Sequence, residues 1–163
     1  MRILLALTLA LTVSACGAGG SYAKSDREAG NVDRGETNGR SFEFISNLPD
    51  GEDWQVRVRD SSMWASYSEA EEVQEYKPVN LDKKETRKLW ELIDNLQMPD
   101  RKLGKPDDDE GYVTLIIREP GGDEGHDVFK TNVSRATKDQ DVLDVAAYLQ
   151  KLILKYHKKE PDF

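Results

Sequence analysis

The strongest periodic signal in this sequence lies near its end, where apolar residues recur every three or four positions. These residues are Val142, Val145, Ala146, Leu149, Leu152, Ile153 and Tyr156. The spacing places them on one face of an α-helix of about four turns, which must bury that face against another element. Thr137 followed by Gln140 resembles a capping box and predicts where the helix begins.

A different period runs through the first part of the chain, where apolar and polar residues alternate. Phe42 and Phe44 flank Glu43, and Trp54, Val56 and Val58 alternate with polar residues up to position 59. Residues 63–68 continue the pattern after a short turn. Alternation of this kind is typical of half-buried strands, so these segments predict an antiparallel meander of three strands. The acidic residues 69–75 are expected to be solvated.

The middle of the chain predicts a helix followed by a hairpin. Asp82 with Glu85 three residues later is a capping-box pattern, and Pro99 is a stop signal, so the helix is expected over about Asp82 to Gln97. Residues 112–118 are the most apolar run outside the leader and predict a central strand covered on both faces. A glycine-rich turn then leads into a partner strand over residues 126–133.

The predicted order is β-β-β-α-β-β-α. Antiparallel strands interrupted by helices favour the α+β class, here a single antiparallel sheet of about five strands with both helices on one face. Residues 41–163 are expected to form this one domain.

The amino-terminal residues have the three-part build of a secretory signal peptide. Arg2 precedes an apolar run over residues 3–13 and the small residues Ser14 and Ala15. That run is too short to span a bilayer, which needs roughly 20 residues. Residues 1–15 are therefore expected to be a cleaved leader. Residues 16–40 are rich in glycine and charge and are expected to form a disordered tether.

The end of this leader, Val13-Ser14-Ala15-Cys16, resembles the lipobox of bacterial lipoprotein precursors. The resemblance implies cleavage before Cys16, diacylation of its sulfur and attachment to a membrane of the cell envelope, bordering the periplasm, with the face of that membrane left open. In enterobacteria an Asp after the cysteine favours the inner membrane. Because Gly17 stands there, the resemblance implies the outer membrane. Two or three acyl chains, at about 0.8 kcal/mol per buried methylene, would anchor the protein stably.

Charge and cysteine content exclude several classes of function. The formal net charge is −8, which argues against general binding of nucleic acid. The single cysteine excludes an intramolecular disulfide and any zinc site built from several cysteines.

Two histidines are available for catalysis. His126 could couple to Asp127 and to a serine near residues 61–68, but no nucleophile-elbow pattern surrounds those serines. His157 lies among lysines, where a positive charge suits the end of a helix. We therefore assign no catalytic residue, and the expected protein is not an enzyme.

Acidic residues at 107–110 and 123–127 raise the question of a cation site. Their spacing fails the EF-hand pattern, although the two groups could converge across the end of the predicted hairpin. A solvated loop is expected, cation binding stays open, and we assign no metal or cofactor ligand.

The aromatic residues Trp54, Trp64, Trp90 and Tyr67 fit core positions. One or two of them could instead be exposed and anchor a protein partner, as aromatic residues commonly do in interfaces.

The domain also resembles emfourin, a small bacterial inhibitor of thermolysin-like metalloproteases, over roughly residues 54–155. The likeness rests on Tyr112, Leu115 and Ile117 in one strand and on His126-Asp127-Val128 after a glycine turn. It implies protease inhibition in the envelope as one alternative. The expected function is a non-enzymatic, lipid-anchored module that binds or assembles envelope proteins. A further alternative is an accessory factor of a secretion or motility machine.

Overall fold

The computed structural model describes residues 39–163, apart from Asp50, Glu71 and residues 121–124. The leader, Cys16 and nearly all of the tether lie outside the described residues. The strands are β1 (Ser41–Asn47), β2 (Asp53–Arg59), β3 (Ser62–Glu69), β4 (Glu72–Glu75), β5 (Val79–Asn80), β6 (Tyr112–Pro120) and β7 (His126–Ser134). The helices are α1 (Lys83–Asn95), a short 3-10 helix (Met98–Asp100) and α2 (Gln140–His157).

The seven strands form one antiparallel sheet, which confirms the α+β class. Six strands lie in the order β4-β3-β2-β1-β6-β7, and β5 pairs with β3 beside β4. The expected count of about five strands was wrong, because the acidic residues of β4 were expected to be solvated and no strand was predicted at β5. All four residues of β4 are exposed, so their sequence carries no alternation. Strand β6 is an interior strand and lies next to the edge strand β7.

One face of the sheet is apolar and packs on the helices. In β1 and β2 the residues that alternate into this face are buried; Phe42 and Phe44 lie opposite Val58 and Val56, and Ser46 lies opposite Trp54. The same buried cluster contains the apolar faces of both helices. The largest of its fully buried side chains are Trp90, Phe42, Phe44, Met63, Leu81, Leu89, Ile93, Leu96, Leu115, Leu149, Leu152 and Ile153.

Helix α1 begins as the sequence predicts and ends slightly earlier. The carboxylate of Asp82 accepts the backbone N–H groups of Lys84 and Glu85 at 2.8 and 3.0 Å, and Glu85 accepts the N–H of Asp82 at 3.0 Å. This confirms the capping box. The helix ends at Asn95, and Gln97 takes a left-handed conformation, which starts the 3-10 helix that contains Pro99.

The start of α2 differs from the predicted capping box. Asp139 is the N-cap and accepts the backbone N–H groups of Asp141 and Val142 at 3.2 and 3.4 Å. Thr137 instead accepts the N–H of Asp139 at 3.2 Å. Arg101 donates to Asp139 at 2.6 Å, and this hydrogen bond lowers the pKa of the Asp139 carboxyl. The capping carboxylate thus also takes part, through its other oxygen, in a tertiary ion pair that local sequence does not reveal.

The loop that contains Lys102 and Gly104 covers the free edge of β7. The hydroxyl of Thr131 donates to the carbonyl of Lys102 at 2.9 Å and accepts the N–H of Gly104 at 3.0 Å. A side chain at Gly104 would collide with the carbonyl oxygen of Asn132, because a Cβ there would lie 2.0 Å from it. An edge strand blocked in this way is protected from pairing with another chain.

The last residues of the chain fold back onto the core. The ring of Phe163 packs against Phe44 with centroids 4.8 Å apart. Gln150 donates to the carbonyl of Phe163 at 2.8 Å, and Arg135 donates to the carboxylate of Asp162 at 3.2 Å. Residues 161–163 are therefore part of the folded domain.

Candidate docking surface

The histidine and serine residues considered for catalysis are not brought together. His126 is exposed at the start of β7, opposite Pro120, and Ser66 lies on β3. Four strand spacings separate β7 from β3, which is about 19 Å.

His157 differs from the expected charged residue at a helix end. It is half-buried, and burial lowers its pKa, which favours the neutral ring.

Among the described acidic residues of the two groups, Asp107 and Asp127 do not converge across the hairpin. The carboxylate of Asp107 accepts the backbone N–H groups of Asp109 and Glu110 at 3.3 and 3.1 Å, and its pKa is lowered mainly by a hydrogen bond from Ser134. Asp127 lies at the opposite end of β7, about 23 Å along the strand from Ser134. Asp107 and Asp127 therefore do not form the shared cation site that the sequence left open, and residues 123 and 124 lie outside the described part.

No group of three or more histidine, cysteine or acidic residues among the described positions is arranged to hold a metal ion. Asp107 itself acts as a local cap that organises its own loop.

The three tryptophans are all buried and Tyr67 is partly buried, so the alternative of an exposed aromatic anchor is not seen at these four positions. Trp54 and Trp90 belong to the core between sheet and helices. Trp64 is buried too but lies outside that core cluster, because its position in β3 points to the opposite face of the sheet.

We call this second face, which points away from both helices, the outer face. Within the described residues no helix packs on it. Its side chains come from the alternate positions of each strand, and the register aligns them in rows across the sheet. Arg59, Ser41, Arg118 and Val128 form one row, and Trp64, Arg57, Glu43, Ile116 and Lys130 form the next.

These two rows gather four cations around a single carboxylate. Arg57, Arg59, Arg118 and Lys130 come from three strands, and Glu43 lies among them. We call these five residues the basic patch. From β2 to β7 it spans three strand spacings, or about 14 Å. A patch with an excess of three positive charges stands out on a chain whose net charge is −8.

Side-chain contacts hold the centre of the basic patch in place. Glu43 is only 14% exposed and accepts a hydrogen bond from Arg118, and its other oxygen lies 3.6 Å from Nε of Arg57. The guanidinium of Arg57 lies over the ring of Trp64, 5.2 Å from its centroid. The amide oxygen of Gln55, in the orientation that satisfies both groups, accepts from Arg57 at 2.9 and 3.1 Å. Arg57 is thus oriented by three neighbours while its side chain remains 51% exposed.

The other end of the outer face has the opposite charge. Asp53 lies on the same face as Arg57, two rows away. Glu75 of β4 lies opposite Ser66 of β3, which places it on this face as well. The face therefore has a basic half and an acidic half, which would orient a charged partner.

The sequence contains only part of the signal for this surface. Arg57 and Arg59 alternate with buried valines and are readily recognised as the solvent side of one strand. Only the strand register brings Arg118, Lys130 and Glu43 next to these two arginines. Glu43 and Arg118, for example, are 75 positions apart along the chain.

No protein-family model matches this chain, and no curated protein does so either. Within the described segment, no helix has both the length and the apolar character needed to cross a bilayer.

Proposed function

We propose that this chain is a bacterial envelope lipoprotein, anchored by acyl chains on Cys16, whose folded domain binds another envelope protein through the outer face. In this proposal the protein performs no catalysis, residues 16–40 are a tether, and the anchor lies in the outer membrane. The domain works as a docking module held at the membrane surface.

The anchoring part of the proposal is supported by the leader. A charged start, a short apolar core and two small residues precede the only cysteine of the chain. Two or more acyl chains on that cysteine would supply stable attachment without a membrane-spanning helix.

The binding part is supported above all by the arrangement of Arg57 on Trp64. Arginine and tryptophan are enriched among the residues that dominate interface energies. A guanidinium already held by a ring, a carboxylate and an amide loses little further freedom when a partner binds. The outer face measures on the order of 500 Å² in projection, from its strand number and length. This is of the same order as the roughly 800 Å² of accessible surface that each partner buries in a standard interface.

Site-specific photo-crosslinking in native membranes tests the binding part. A photoreactive residue replaces Val128, which is 55% exposed on the outer face, or Leu154, which is 43% exposed on α2. We expect one discrete protein adduct from position 128 and none from position 154. Purification of the cross-linked partner should in turn recover this protein. Absence of a protein adduct from position 128 would overturn the binding proposal. A metalloprotease as partner would favour the inhibitor alternative, and a machine component would favour the accessory-factor alternative.

Intact-mass analysis of the protein from the same membranes tests the anchor. We expect a chain that begins at Cys16 and carries two or three acyl chains. An unmodified cysteine, or a leader that is still attached, would refute the lipoprotein proposal and leave the docking proposal standing.

A further inference from the structure

We infer that the partner docks an acidic protein segment, flanked by an apolar side chain, onto the basic patch of the outer face. This inference rests on the proposed function and specifies the chemistry of the partner.

The charge of the basic patch favours an acidic partner. Four cations surround one carboxylate, and Glu43 is nearly covered by its ion pairs with Arg57 and Arg118. The charge presented to solvent is therefore mostly that of Arg57, Arg59 and Lys130, whose side chains are exposed. Complementary charge accelerates encounter and excludes partners of the wrong sign.

The geometry of the patch favours carboxylates. The guanidinium of Arg57 is held by Trp64 and, through Nε and Nη2, by Gln55, which leaves Nη1 and the second hydrogen of Nη2 to pair end-on with a carboxylate. Cationic side chains come from β2, β6 and β7, so acidic groups spread over about 14 Å would be matched.

An apolar contact lies at the end of the same rows. Val128 is opposite Arg118 in the register and is more than half exposed. A partner that places an apolar side chain against Val128 would cover this surface and shield the neighbouring ion pairs from water.

A local acidic segment fits better than an anionic membrane. A membrane surface extends beyond the patch, so its negative potential would act on the whole domain, including Asp53 and Glu75 on the same face. With a net charge of −8 the chain would be repelled overall. A protein segment meets only the basic half of the face.

The test uses the full-length protein in its membranes, with the photoreactive residue at position 128. Arg59→Glu/Lys130→Glu reverses two exposed charges of the patch, and Lys88→Glu/Lys151→Glu makes the same change on the helices as a matched control. We expect the adduct yield to fall at least about tenfold in the first variant and to stay unchanged in the control. The cross-linked partner peptide, identified by mass spectrometry, should carry an excess of Asp and Glu.

A salt titration of the wild type keeps the inference testable if the first variant does not fold. Raising the salt from about 50 mM to about 500 mM should lower the adduct yield by a similar factor, because the Debye length shrinks several-fold. An adduct whose yield is insensitive to both charge reversal and salt would overturn the inference and leave protein binding intact. A phospholipid adduct would overturn it in favour of membrane contact. No adduct at all would refute the proposed function itself.

Discussion

The imidazole of His157 packs against the ring of Tyr76, with centroids 5.0 Å apart and planes tilted by 32°. Tyr76 in turn stacks on Trp54, 5.9 Å away and nearly parallel. Nε2 of His157 is buried and has no hydrogen-bond partner in the described part of the chain. Burial lowers the pKa of His157 and raises that of Tyr76, so both rings favour the neutral form at the end of α2.

This contact predicts a loss of stability in mild acid. Because the pKa of His157 is lowered from its ordinary value of 6.5, the unfolded chain takes up a proton at a pH where the folded protein does not. The free energy of unfolding should therefore be unaffected by this residue above pH 6.5 and decrease as the pH falls below it. Urea unfolding at about pH 7.5 and about pH 5.5 should show a smaller decrease for His157→Phe than for the wild type.

The matched control is His126→Gln, which removes the other histidine, exposed on the edge strand. We expect this variant to keep the decrease of the wild type. If His157→Phe and the wild type lose equal stability between the two pH values, His157 is protonated in the folded state and the prediction is wrong.

A second prediction concerns the link between the helices. The hydroxyl of Tyr156 donates to Glu85 at 2.6 Å, and Nζ of Lys155 donates to the other carboxylate oxygen. Burial alone would raise the pKa of Glu85, but these two hydrogen bonds lower it overall. Tyr156→Phe should reduce the free energy of unfolding by about 1–2 kcal/mol, since a hydrogen bond to a charged group is lost.

A double-mutant cycle with Glu85→Gln isolates this interaction. The double variant should lose less stability than the two single variants together, as measured by chemical denaturation. Additive losses would show that Tyr156 and Glu85 do not interact energetically.

A third prediction concerns the edge of the sheet. Gly104→Ala places a Cβ 2.0 Å from the carbonyl oxygen of Asn132, so the loop must move away from β7 and break its hydrogen bonds to Thr131. We expect a loss of about 1–3 kcal/mol together with aggregation, because the strand edge becomes available for pairing. Thermal unfolding and light scattering measure the two effects. Lys105→Ala, an exposed change in the same loop, should produce neither.

The regular elements of this fold are predictable because burial imposes a period on the sequence. The residues of β1 and β2 alternate between core and solvent, and the apolar face of α2 repeats every three or four positions. Strand β4 has no such period because all of its side chains are exposed, and only its backbone pairing with β3 defines it. A strand of that kind cannot be recognised from one sequence.

The candidate site was less predictable than the fold. Its cations lie on strands that are distant along the chain, and register alone brings Arg118 next to Glu43. Trp64 shows a related difficulty, since its aromatic character predicts core, whereas the structure buries it on the outer face beneath Arg57. Sequence pattern indicates whether a residue is covered, but not by which neighbour.

The last prediction concerns Glu43, the only carboxylate of the basic patch. Glu43→Gln leaves Arg57 and Arg118 without their shared counter-charge and raises the positive charge of the patch by one. We expect a modest loss of stability, about 1 kcal/mol, because the ion pair is only partly desolvated. The photo-crosslinking yield from position 128 should rise, and its dependence on salt should become steeper. The matched control is Glu91→Gln on α1, which makes the same change in net charge at an exposed site paired with Lys88 at 3.8 Å. If Glu91→Gln raises the yield as much as Glu43→Gln does, the partner responds to the total charge of the protein and not to the basic patch.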